Sequence, residues 1–181
     1  MADQWTDSDS DPRTYGDPEG ELATYREYLS NYRLTLAMKG EGLSPEQLAT
    51  RSVPPSTMSL LGLVRHMAKV EHSWFQRALQ GNLDEPRPFF DADRRDLDWD
   101  DAVGTKECVE EAITSWEREI GRADAYLDGL KDDDLGTKVT YNGDGATASI
   151  HDILVHMVEE YARHCGHADL LRECIDGRVG Q

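Results

Sequence analysis

Four stretches of apolar residues spaced by threes and fours constrain this chain more than any other feature. The first runs through Leu22, Tyr25, Leu29, Tyr32 and Leu36 up to Gly40. The second begins near Ser59, carries Leu60, Leu63, Val64, Met67, Trp74 and Ala78, and stops at Gly81. The third steps through Val109, Ile113, Trp116, Ile120, Ala123, Leu127 and Leu130. The fourth opens at Ser149 and Asp152, a capping-box pair, and runs to Asp176-Gly177. Such spacing lines up apolar side chains on one face of a helix. Helices of about 22 to 28 residues measure roughly 33–42 Å at 1.5 Å per residue. Four rods of matched length, each with one apolar stripe, bury those stripes together as a four-helix bundle. The expected fold class is all-α, with helices near residues 18–39, 59–80, 105–130 and 149–176.

The links are unequal. Asp17-Pro18 reads as an N-cap followed by proline at the first helical position, and Ser44-Pro45-Glu46-Gln47 as a capping box opening one short turn. Residues 82–104 hold acidic clusters, two prolines and Phe89-Phe90. They form a long polar connection between the second and third helices, with the phenylalanines turned inward. Asn142-Gly143 signals a type I′ turn in a small hairpin between Val139 and Thr147. Residues 1–17, rich in Asp, Ser, Gly and Pro, read as a flexible acidic tail on which only Trp5 and Tyr15 offer much to bury. The bundle domain then spans residues 18–181.

Charge narrows the partners. Asp and Glu number 36 against 19 Lys and Arg, a net charge of −17. That surface repels phosphate backbones and anionic lipid, so neither nucleic acid nor membrane is an expected partner. No run approaches the roughly 20 apolar residues of a membrane span, and no signal peptide is expected. Cys108, Cys165 and Cys174 are odd in number and unpaired in spacing, which fits reduced thiols in a cytoplasm. Cys165 reads as a buried structural thiol. Phosphate-binding glycine loops, the nucleophile elbow and the H-E-x-x-H zinc motif are all missing.

The six histidines fall on two helices only: His66 and His72 on the second, His151, His156, His164 and His167 on the fourth. His66 sits at the edge of the apolar face, whereas His72 is placed on the solvated side. His156, Glu160 and His164 recur every four residues, with His167 three further on, so they form one polar stripe beside the core. A polar stripe there is costly unless its groups are paired or hold something. Two imidazoles and a carboxylate from facing helices suit a divalent transition metal. Taken singly, His66 reads as a hydrogen-bonded core histidine, and Glu160 as a helix-surface residue paired with Arg163 or His164. Spacing does not rank His156, His164 and His167 as ligands. Gly62 and Gly166 allow close approach or open space within their helices.

Two segments carry a family resemblance. PPSTMSLLGLVRHMAKVEHSWF (54–75) resembles the first metal-histidine helix of the DinB-like superfamily, and HMVEEYARHCGHADLLRE (156–173) resembles its last. Together they are similar to the mini-circle-protein subgroup over about residues 16–177. The resemblance implies an up-down-down-up bundle and a metal triad at His66, Glu160 and His164. Glutamate in the middle position, where histidine is common, resembles the mycothiol-dependent maleylpyruvate isomerase branch. His167, where many members carry glutamine, is implied as a supporting or substrate-facing residue.

That resemblance implies a metal-dependent enzyme in which zinc, or nickel, manganese or iron, activates the thiol of a small cofactor such as mycothiol. S-transfer to a small-molecule substrate, or thiol-assisted isomerisation, would follow. The rival readings are a non-catalytic bundle, closed by His156 or His167 as a fourth ligand, and a hydrolase using metal-bound water. A homodimer paired through a helical face is also expected.

Overall fold

The computed structural model describes residues 11–180 and is mostly helical. In chain order come α1 (Glu21–Gly40), α2 (Pro45–Leu48), α3 (Leu60–Glu71) and α4 (Leu97–Asp100). They are followed by α5 (Lys106–Leu127), the strands β1 (Lys138–Thr140) and β2 (Thr147–Ser149), and α6 (Ile150–Asp176). A π-helical segment, His72–Leu79, continues α3, and a 3₁₀ turn, Asp132–Asp134, follows α5. α1 lies along α6 and α3 along α5, while α3 also meets α6 and α1. Leu29, Leu36, Leu63, Met67, Leu127 and Met157 from the four stripes meet in one core. Among the described residues no helix is long and apolar enough to cross a membrane.

Local chemistry sets the helix ends. The hydroxyls of Ser59 and Thr105 accept from the backbone N–H of Gly62 (3.1 Å) and Cys108 (3.2 Å). Ser149 and Asp152 close a reciprocal capping box at the start of α6, and Gly177 ends it in left-handed backbone (φ 79°). Caps of this kind contribute about 1 kcal/mol each.

Several local expectations are corrected. Asp17-Pro18 does not open α1. The helix starts after Gly20 (φ 93°), and the carboxylate of Asp132 accepts from the N–H groups of Glu21 (3.2 Å) and Leu22 (3.0 Å). A distant residue supplies the cap because the chain returns there after α5. The hairpin forms with Thr140 opposite Thr147, but its loop is wider than a two-residue turn. Asn142 Oδ1 accepts from Gly143 N–H and Asp144 Oδ1 from Ala146 N–H, and Gly145, not Gly143, takes positive φ.

The second stripe is not one uniform helix, since its last eight residues widen to i→i+5 pairing. That widening turns His72 and Gln76 inward, each only 2% exposed. His72 was expected to be solvated. It is buried instead, its Nε2 lies 3.3 Å from Glu85 Oε1, and burial pushes its pKa down despite Glu119 and Glu85 nearby. On α5 the buried line runs through Ala112, Trp116, Glu119 and Ala123, leaving Ile113 exposed.

Residues 11–16 run along α1. Arg13 bonds Thr35 Oγ1 (3.2 Å), Thr14 and Asn31 exchange hydrogen bonds, and Gly16 N–H donates to Glu27. Tyr15 is 72% exposed, so Arg13 is the residue that docks. Trp5 lies outside the described residues.

Candidate metal centre

α3 and α6 place His66, Glu160 and His164 opposite one another. One ligand-type atom of each lies within 4.8 Å of the others. Glu160 Oε2 and His164 Nε2, one turn apart on α6, are 3.4 Å apart, and the rings of His66 and His164 have centroids at 4.7 Å. His164 is buried and the other two are half-buried.

The neighbours orient the imidazoles. His66 Nδ1 lies 2.8 Å from Asp98 Oδ2, and Asp98 is fully buried on α4. With Nδ1–H donated to that carboxylate, the Nε2 lone pair is left for the cluster. Lys69, one turn along α3 from His66, pairs with the same Asp98 oxygen. Burial, the largest influence on Asp98, raises its pKa, but hydrogen bonds from His66 and Lys69 and their charges outweigh it. The carboxyl therefore sits below its ordinary value. His66 also stacks on Trp99 with centroids 4.9 Å apart.

α4 is held there by Arg65, whose guanidinium donates to the carbonyls of Asp98 (3.0 Å) and Leu97 (3.2 Å). Gly62 admits the indole: a Cβ at that position would stand 2.8 Å from Trp99 Cε3. Gly166 faces open space.

On α6, the Nδ1 atoms of His164 and His167 are 3.3 Å apart. One of them must carry the proton. Burial, then the charges of His164 and Arg163, lower the pKa of His167, which suits it as a neutral acceptor. His164 Nδ1 then donates and Nε2 faces Glu160. While the rings are protonated, a hydrogen bond from His164 Nε2, opposed by burial and aided by the charges of His156, His164 and His66, holds the Glu160 carboxyl below its ordinary value; a bound metal would take the place of that Nε2 proton. His156 sits 3.5 Å from Glu160 and packs edge-on to Trp74. Neither His156 nor His167 joins the three-atom cluster.

The four-residue spacing puts Glu160 and His164 on one stripe with His156 and His167 without ranking them; their choice as ligands comes from the family resemblance. No sequence pattern singles out Asp98, Trp99 or Lys69. The one signal was a tryptophan inside an acidic connection, which has to find something to cover it. Cys165 is buried as expected, its thiol pushed up to about 12 by burial and its Sγ directed at Tyr32 O.

The donor set fits a divalent transition metal: two imidazoles and one carboxylate, with a carboxylate behind one ring and a histidine behind the other. A helical domain with such a cluster between two facing helices defines a DinB-like protein. The family model described as mycothiol-S-transferase matches residues 24–177, and the chain belongs to that family. Among solved structures, it resembles the crystal structure of a conserved protein of a locus from Enterococcus faecalis, at 16% identity and a TM-score of 0.65. That match covers 88% of this chain and 99% of the other, and it bears on the fold alone. No curated protein matches the chain.

Proposed function

We propose that His66, Glu160 and His164 bind a divalent metal, zinc before nickel, manganese or iron, and that the protein transfers the sulfur of mycothiol to a small-molecule electrophile. The observation that carries this reading is the convergence of three ligand-type atoms from α3 and α6 within 4.8 Å. Membership of the mycothiol-S-transferase family supports the thiol. A divalent cation held by these three residues would lower the pKa of a thiol bound beside it.

The chain's own residues do the positioning. Asp98 fixes the tautomer and tilt of His66, Trp99 limits its ring to one plane, and His167 plays the tautomer-setting part for His164. In the transfer, the thiol gives up its proton to solvent water, sulfur bonds to the electrophilic carbon, and the carbon–leaving-group bond breaks with its electron pair going to the leaving group. His156 and His167 standing outside the cluster support an open coordination position, which a closed structural site would lack. The reading takes the four long helices as an up-down-down-up bundle, residues 18–181 as the domain, 1–17 as an acidic tail, and the cytoplasm as the compartment. Pairing into a homodimer through a helical face is part of it, and light scattering that gives a monomer mass at all concentrations would remove that element.

Elemental analysis of tag-free protein should find about one divalent metal per chain. His66→Ala and His164→Ala should each remove it and abolish mycothiol consumption while the helical circular dichroism is retained. Wild-type protein that takes up no divalent metal defeats the proposal. Metal uptake with substrate turnover that needs no thiol would favour the hydrolase instead.

A further inference from the structure

The charge distribution contains an anomaly beside this cluster. The chain carries 36 acidic and 19 basic residues, yet one cleft of about 710 Å³ is lined by Lys69, Arg77, Arg87 and Arg95 with a single carboxylate, Asp96. Arg87 and Arg95 have no carboxylate partner among the described residues. Arg87 lies over the Phe90 ring at 3.8 Å, and Arg77 donates to the backbone carbonyl of Glu85. Burial, then the charge of Arg77, pulls the Arg87 guanidinium below its ordinary value. A partly desolvated Arg87 guanidinium repelled by Arg77, with Arg95 exposed at the same cleft, favours an anion there in so acidic a protein.

The cleft also adjoins the metal centre. Lys69 lines it and pairs with the Asp98 oxygen that holds His66. Trp74 lines it and packs at 4.7 Å on His156, next to Glu160. Trp74, Tyr141 and Phe90 give it aromatic walls.

We infer that this cleft binds a small organic oxyanion, a carboxylate or phosphate on a flat apolar body, through Arg77, Arg87 and Arg95. Arginine forks match either oxyanion in two-point geometry, and the rings match the hydrocarbon. A polyanion is disfavoured, because beyond the cleft it meets a surface of net charge −17. Identifying this anion as the electrophile of the transfer rests on the function proposed above; the anion site itself does not.

The test is calorimetric titration of the full-length protein with benzoate, phenyl phosphate and uncharged benzamide at constant ionic strength. Benzoate or phenyl phosphate should bind at least tenfold more tightly than benzamide, and the tighter of the two names the oxyanion. Arg87→Ala and the exposed-site variant Arg95→Ala should each weaken that anion at least fivefold, with melting temperature and metal content held. Equal binding of benzamide overturns the inference. So does anion binding that survives both substitutions but disappears on chelating the metal. Failure of the transfer reading looks different: the anion still binds and depends on the arginines, while thiol consumption is absent.

Discussion

A buried polar cluster and a half-buried one tie helices of this molecule together, and they differ in how completely their atoms are paired. In the first, Arg33 of α1 grips Glu71 of α3 through two hydrogen bonds (2.8 and 3.0 Å) and reaches Asp124 of α5 (2.7 Å). Tyr161 of α6 donates to Glu71 (2.6 Å) and accepts from the indole N–H of Trp116 on α5 (2.9 Å). Every long helix contributes, and both Glu71 oxygens are used. In the second, around His66, Glu160 and His164, the contacts between Glu160 and the imidazoles are long, 3.4 and 3.5 Å, and Asp98 Oδ1 has no partner. Saturation marks the first cluster as a fastening. Incompleteness marks the second as a place where something else completes the pairing.

The strongest test of that contrast is Glu71→Ala. It leaves buried Arg33 with only the exposed Asp124 as a charge partner and strips the Tyr161 hydroxyl of its acceptor, and the loss of stability in urea should be about 3–5 kcal/mol. A loss under about 1 kcal/mol would mean the first cluster is no fastening.

Asp98→Asn acts on the second cluster. It should lower metal affinity about 10- to 100-fold by releasing the His66 tautomer, with the helical spectrum unchanged. Metal affinity equal to the wild type would remove Asp98 from the centre.

Acid sharpens the comparison further. The folded pKa of Asp98 lies below its ordinary 3.8, so the unfolded chain takes up the proton first. Its contribution to stability is complete above that value and disappears as pH falls through the lowered one. Metal-free wild-type protein should therefore lose stability more steeply below pH 3.8 than Asp98→Asn. Parallel curves for the two would contradict that account.

The smallest effects belong to the N-terminal segment. Removing residues 1–10 should change stability by no more than about 0.5 kcal/mol. Arg13→Ala, which unpins the segment along α1, should cost about 1 kcal/mol. A reversal of that order would place the docking contacts in the first ten residues.

The apolar stripes, the caps at Ser59, Thr105 and Ser149, and the four-residue step from Glu160 to His164 are all written within single helices. Periodicity and capping depend on neighbours a few residues apart, so sequence alone determined the long helices and put Glu160 and His164 on one stripe, without ranking them as ligands. Tertiary structure decided the rest. Asp132 caps α1 from more than a hundred residues away, Asp98 and Trp99 reach His66 from the connection, and the π-helical turn brings His72 inward. Glu71 and Glu119, fully buried, look in sequence like solvated helix charges. Whether a charge is paired, left wanting, or turned to water depends on which helix faces it, and only packing across the chain settles that.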